Sequence, residues 1–368
     1  MDLPPFLLDH WLAGHAFASP PIAYDLASST GPKWTVGELL SLGSGRAGLD
    51  EVKIGYAPPE GGRVLREAIA GFLGVDPDWI VVTTGASEAL SILLCLAAGH
   101  DDNLVLSSLG FSAFEAMAKA WGLGARHYRL ARQNDYLLSA GDVLAATDEQ
   151  TVLALVNTPH NPTGAVMPRD EIVRLAAALA ERRVPLVVDE VYHPLYFDTA
   201  PQSAASIDNV IVIGDMSKAL SLAGLRMGWI IDANAERRSR IIDARSYFTI
   251  SSSPILEALA THALLHHEVL LARLRAVATA NLDALTAHML DVADIWSWVR
   301  PVGGTVAFPW FRDGRDSRPF CEALAAAGVL VAPGDCFAMP EHLRIGFAAQ
   351  SDRFPEALAI VERTLREQ

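Results

Sequence analysis

The sequence predicts an α/β fold in which a large domain, built on a mostly parallel mixed sheet between helices, is followed by a smaller α+β domain. Two observations carry this. From about residue 63 to 231, short apolar, β-branched runs alternate with alanine- and leucine-rich stretches of helical spacing. Strands buried on both faces read as continuous apolar runs, and their alternation with helices implies βαβ crossovers. The C-terminal third instead segregates leucine-rich helical sequence from short strand-like runs, as α+β units do.

In chain order, strands are expected at 79–83, 104–106, 152–156, 184–188, 210–213 and 229–231. A helix is expected at 171–183, where EIVRLAAALAERR repeats apolar residues at helical spacing. Helical sequence then covers about 255–290, a strand-like stretch lies at 296–311, and helices are expected at about 317–327 and 353–366. Residues before about 45 are rich in Pro, Gly and Ser and read as an arm that packs back on the C-terminal part. The expected division is therefore 1–45 for the arm and part of the small domain, 46–264 for the large domain, and 265–368 for the small one.

A chain of 368 residues with 51% apolar content can bury a sizeable core without disulfides or structural metals. Its 43 acidic against 29 basic residues give a net charge of −14, which argues against nucleic-acid and anionic-membrane partners. Cys95, Cys321 and Cys336 are odd in number and lack C-x-x-C spacing, so neither a disulfide framework nor a zinc site is expected. The apolar N-terminal stretch is broken by Pro4, Pro5, Asp9 and His10 and reads as neither signal peptide nor span. A cytoplasmic location is the expectation.

GSGRAG at 43–48 matches a dinucleotide fingerprint, but TVGELLSL before it reads as helix where the fingerprint needs a strand, so a loop is expected. HHE at 266–268 has no second histidine at metalloprotease spacing. WIVVTTGASEALSILLCLAAG is more informative, because small residues at a strand-to-helix turn let backbone N–H groups meet an anion. An ordinary capped turn is its plain alternative. VLALVNTPHNPTG ends a buried strand in a proline-punctuated loop presenting His160 and Asn161, at the strand end where open α/β sheets bind ligands. Turn chemistry alone would also explain it. VPLVVDEVYHPLYF sets Asp189 and Glu190 after four apolar positions, where a carboxylate needs a cation, a hydrogen bond or a capping role. In VIVIGDMSKALSLAGLRMGWII, Lys218 follows a buried strand and Arg226 comes eight residues later. A lysine in partly apolar surroundings is a candidate nucleophile for carbonyls; a surface lysine is the plain alternative.

Together, the G-A-S-E turn, N-P-T-G, D-E-x-Y and S-K followed by an arginine resemble the fold-type I pyridoxal-phosphate enzymes, and more narrowly the class I/II aminotransferases. The 28-residue interval from Asn161 to Asp189 and the Tyr56-x-x-x-x-Gly61-x-x-x-Leu65-Arg66 pattern also match that family. The resemblance runs from about residue 24 to 350.

It implies that Lys218 forms an internal aldimine with pyridoxal 5'-phosphate and later moves a proton, while Asp189 keeps the pyridine nitrogen protonated. Asn161 and Tyr192 are expected to hydrogen-bond the phenolic oxygen, and Phe111 to stack on the ring. The phosphate is expected on the Gly85-Ala86-Ser87 turn with Arg226, and Tyr56 to reach it from a second subunit, which implies a homodimer with composite sites. Arg344, in HLRIGFA, aligns with the arginine that grips the substrate carboxylate; an edge-strand surface arginine is its alternative.

Two positions depart from the family. Asp215 stands where a phosphate-binding serine is usual; it is expected to point away, with Ser217 supplying the hydroxyl. Ser29 stands at a usual glycine in the substrate loop, and with Arg344 and Asn161 it is expected to bind the substrate.

The implied activity is ping-pong transamination between an α-amino acid and a 2-oxo acid. The GDMSKALSLAGLR stretch also resembles capreomycidine-synthase-like enzymes, so elimination, replacement or cyclisation is the alternative. A non-catalytic cofactor-binding module, as in regulators with a DNA-binding domain, is disfavoured by the acidic balance and by the few residues before Tyr24.

Overall fold

The computed structural model describes residues 3–19, 21–43 and 48–367. Among these, seven strands form the main sheet, numbered here in chain order: β1 Ile80–Thr83, β2 Asn103–Ser107, β3 Gly124–Tyr128, β4 Thr151–Asn157, β5 Leu186–Asp189, β6 Val210–Asp215 and β7 Gly228–Asp232. Their spatial order is β1-β7-β6-β5-β4-β2-β3. Only β7 runs antiparallel to its neighbours, so the sheet is mixed but mostly parallel.

Alternate residues of each strand feed two apolar layers. Val81, Leu104, Leu155, Val187, Ile211 and Ile230 pack with the helix Gly85–Ala97 on one face. Val82, Val105, Val156, Val188 and Val212 pack toward the other, where Leu175 and Leu179 of the helix Arg169–Glu181 lie. Burial of both faces is what makes these strands read as unbroken apolar runs.

The strand β3 is not among those expected, because its sequence, GARHY, is polar. It lies at the sheet edge with most of its residues exposed, where continuous apolarity is not required. The expected helical stretch at 255–290 is two helices, Pro254–Leu265 and His267–Asp291. The strand-like 296–311 stretch is broken into Trp296–Ser297, Val306–Ala307 and Trp310–Phe311. Pro301 and two glycines lie between the first two and Pro309 precedes the third, where ladder pairing fails.

The core of the GSGRAG segment, 44–47, lies outside the described residues; the helix Val36–Leu40 precedes it, with Thr35 and Glu38 forming a capping box. No helix of the described residues is long and apolar enough to cross a membrane.

In the C-terminal part, Leu343–Gly346 is the central strand between Val306–Ala307 and Ala332–Pro333. The N-terminal segment joins this part: Tyr24–Asp25 pairs in parallel with Val329–Leu330, and Trp11 Nε1 donates to the Val331 carbonyl at 2.8 Å. Gly346 permits the crossing. A Cβ there would sit 1.9 Å from the Ser28 carbonyl oxygen, so only glycine lets the segment carrying Ser28 and Ser29 pass so close.

Candidate active site

The sheet register gathers chemistry at the carboxyl ends of β4, β5 and β6. Asn157 pairs directly with Asp189, and Asp215 faces Gly228. Beyond these ends lies a cavity of about 500 Å³. It is lined by Ser29, Ala86, Ser87, Phe111, Asn161 and Asp189, and also by Tyr192, Ser217, Lys218, Arg226 and Arg344. Of the residues singled out from the sequence, Gly85 and Tyr56 do not line it. Gly85 has φ of +75°, and a Cβ there would meet the Arg226 guanidinium at 2.5 Å; it lets that cation lie against the turn. Tyr56 is 85% exposed, outside the cavity.

The first turn of the helix Gly85–Ala97 backs one end of the cavity. Gly228 makes this possible, since a Cβ would lie 2.6–2.9 Å from the Gly85 and Ala86 backbone. Nothing in the sequence pattern marks Gly228, because the contact is made between segments far apart in the chain. Arg226 Nη1 donates to Ser217 Oγ at 3.4 Å, joining the cation to this turn.

Asp189 is buried, and its Oδ1 accepts from the Val191 N–H at 3.1 Å. Burial pushes its pKa up to about 7, with Asp215 and Glu190 adding to the rise and the Val191 N–H and Lys218 opposing it. The neighbouring Glu190 serves the fold, accepting from Ser203 Oγ at 2.6 Å and from the Ala204 N–H at 2.7 Å. Burial also brings the Lys218 amine down to about 8. Its Nζ donates to Ser29 Oγ at 2.8 Å, so Ser29 meets the lysine rather than the arginine.

Arg344 is 2% exposed on a central strand, which excludes the edge-strand surface reading. Its Nη1 donates to Asn161 Oδ1 at 3.0 Å and its Nη2 to the Ala27 carbonyl at 2.7 Å, while Nε has no partner among the described residues. Asn157 holds this corner by donating to the Asp189 carbonyl at 3.2 Å and accepting from the Asn161 N–H at 2.8 Å.

Two expectations are corrected. Asp215 does not point away: its Oδ2 lies 3.4 Å from the Ala86 nitrogen, as an acceptor, and 2.9 Å from Ser217 Oγ. The turn's N–H groups and the Ser217 hydroxyl attract the carboxylate, a local pull that residue types alone do not reveal. His160 is turned inward and does not face the cavity. Its ring nitrogens contact Thr163 Oγ1 at 2.9 Å and the Leu109 carbonyl at 3.0 Å, and burial lowers its pKa to about 4.

One wall of the cavity was not expected from the sequence. Phe6, Leu8, Asp9 and Leu12 line it from the segment containing the helix Leu7–His15, and Phe6 meets Phe111 edge-on with ring centroids 5.5 Å apart. The usable signal was the spacing of Leu8, Trp11 and Leu12, a helical apolar face.

The class I and II aminotransferase pattern matches residues 46–359. The chain belongs to this family. Capreomycidine synthase of Streptomyces vinaceus is 30% identical over 370 residues, spanning 99% of this chain and 94% of its own. Among solved structures, a PLP-dependent aminotransferase from Streptococcus suis matches with a TM-score of 0.90 at 26% identity, covering 100% of this chain and 99% of that one. The PLP-dependent cyclase OrfR matches with a TM-score of 0.87 at 26% identity, covering 100% and 98%.

The fold is thus that of the fold-type I enzymes, and pyridoxal 5'-phosphate is the family's cofactor. The residues present fit it. Among the described residues, Tyr192 Oη and Arg344 Nε are buried in the cavity wall without a hydrogen-bond partner, two donors in want of acceptors. A phenolate oxygen and a substrate carboxylate are such acceptors, and a pyridinium would be a contact cation for buried Asp189, which makes no ion pair among the described residues.

Two outcomes follow from this geometry. Arg344→Ala should raise KM for the amino acid roughly 10- to 100-fold, the value of charge-assisted hydrogen bonds, with a smaller change in kcat. Arg344→Lys should recover little, since an ammonium cannot reproduce the planar fork. An unchanged KM in steady-state assays would remove Arg344 from the substrate site.

The second concerns pH in protein stripped of cofactor. Asp189 rises from 3.8 to about 7 on folding, so the native chain binds more protons and stability falls as pH climbs through that window. Lys218 falls from 10.5 to about 8, so stability recovers between those values. Thermal melts should therefore show a minimum between about pH 7 and 8 that added cofactor removes; a flat profile would contradict the burial of these groups.

Proposed function

We propose that this protein is a pyridoxal-phosphate-dependent aminotransferase that moves an amino group between an α-amino acid and a 2-oxo acid in ping-pong turns. One observation carries the reading: Lys218, buried Asp189 and two buried donors without a partner among the described residues, Tyr192 Oη and Arg344 Nε, line a single cavity.

When bound, the cofactor supplies an aldehyde that captures amines and a ring that draws electrons from the Cα bond. Asp189 holds the proton on the ring nitrogen. Tyr192 Oη and Asn161 donate to the phenolic oxygen, and Phe111 covers a face of the ring. Ala86, Ser87, Ser217 and Arg226 hold the phosphate, with Gly85 shaping their turn. Arg344 grips the substrate carboxylate, so the Cα–H bond is presented to Lys218 Nζ. With its pKa near 8, that amine is a competent base for the Cα proton at neutral to mildly alkaline pH.

Tyr56 completes the phosphate site from a second copy of the chain. Its exposure, together with 84% exposure at Ile54 nearby, supports a homodimer in which this face is covered. The division at about residues 46 and 265, and a cytoplasmic location, belong to the same proposal.

A second reading, elimination or cyclisation of a modified amino acid, is favoured by the full-length likeness to capreomycidine synthase and to the cyclase OrfR. Each contact above serves either chemistry. A half-reaction screen separates them: each amino acid is mixed with the holoenzyme, the cofactor spectrum is followed, and the product is identified by mass. A 2-oxo acid supports transamination; released ammonia or a cyclic product supports the second reading. A colourless protein that takes up no cofactor would overturn both.

A further inference from the structure

Asp215 stands at the end of β6 and is 9% exposed. Besides the Ala86 N–H and the Ser217 hydroxyl, it engages the Ser217 N–H, whose nitrogen lies 2.8 Å from Oδ1. One N–H of the helix N-terminus and two donors of Ser217, two residues along the chain, therefore converge on one carboxylate. Among the described residues Asp215 makes no ion pair, and Arg226 reaches Ser217 Oγ instead. This is the binding pattern of an anion in an anion site, supplied by the chain itself.

We infer that Asp215 is an internal competitor for the cofactor's phosphate: its carboxylate takes the donors a phosphate needs and lowers the protein's affinity for phosphate-bearing ligands. The inference rests on the phosphate assignment of the proposed function. A phosphate near neutral pH carries about −1.5 to −2 charges. It cannot share the Ala86 N–H and the Ser217 hydroxyl with a carboxylate that already occupies them. Binding must turn Asp215 out of the turn or protonate it, and either change opposes binding. In exchange, Asp215 keeps these donors satisfied whenever the cofactor is gone, so the stripped protein is held folded and ready to reload.

The test uses the full-length protein stripped of cofactor, with Asp215→Ser and the near-isosteric Asp215→Asn. Affinity is read by spectroscopic titration with pyridoxal phosphate and with pyridoxal, which lacks the phosphate, and by melting-temperature shifts with inorganic phosphate. Both variants should bind pyridoxal phosphate at least tenfold more tightly, gain a larger shift with inorganic phosphate, and leave pyridoxal affinity unchanged. Stripped Asp215→Ser should also melt several degrees lower than the parent. Equal or weaker binding of pyridoxal phosphate, or an equal gain for pyridoxal, would overturn the competitor. Arg226→Gln distinguishes failure of the competitor from failure of the phosphate site. It should weaken pyridoxal phosphate binding at least tenfold; no change would overturn the phosphate site itself, and the competitor with it.

Discussion

Replacing Lys218 with alanine should lower turnover by at least about 10³-fold, because in the proposed function one side chain supplies both the covalent anchor and the base. The loss should be chemical and not structural. Among the described residues Nζ makes one hydrogen bond, to Ser29 Oγ, and the side chain lines the cavity and not the packed core, so the fold loses little with it. Asp189, Tyr192, Ser217 and Arg226 all remain, so the variant should still bind pyridoxal phosphate without a covalent link. Its spectrum should be that of the free aldehyde, without the imine band of the parent. Lys218→Arg keeps the charge without a deprotonatable amine and should be equally inactive. A small primary amine added to the alanine variant should restore part of the proton transfer. If Lys218→Ala turns over at the parent rate, another amine holds the cofactor and the site is misassigned.

The parts legible in the sequence were those fixed by local pattern. β4, β5 and β6 announced themselves because both faces are buried; Asp189 ends β5, and Asn161 and Lys218 follow β4 and β6 at motif spacing. The polar edge strand β3 carries no such mark. Long-range contacts were equally silent. That Gly228 must be small, that Gly346 lets Ser28 pass, and that Phe6 meets Phe111 all depend on segments far apart in the chain. The orientation of Asp215 was hidden for a related reason. Repulsion from a phosphate can be argued from residue types alone, whereas attraction to the Ala86 and Ser217 donors needs the turn's geometry.

Asp189→Asn should lower kcat by about 10²- to 10⁴-fold, in the range seen when a charge-stabilising or proton-holding group is lost. Asparagine preserves shape and can accept a hydrogen bond, but it carries no charge to keep a proton on a pyridine nitrogen. Without that proton the ring draws electrons weakly, and the Cα–H bond stays strong however well Arg344 and Lys218 are placed. Cofactor binding should survive, because the phosphate and the lysine anchor lie elsewhere. The same variant has a second consequence. Burial raises the Asp189 pKa to about 7, so this carboxyl imposes the decline in stability between pH 3.8 and 7 in stripped protein. Asparagine does not titrate, so the variant should lose that decline and, when stripped, be more stable than the parent near pH 7. A residue that weakens the resting protein and speeds the reaction is bearing a catalytic charge. If Asp189→Asn slows turnover but leaves the decline intact, another carboxyl causes it; if it restores the melt while turnover is unchanged, Asp189 does not hold the ring proton.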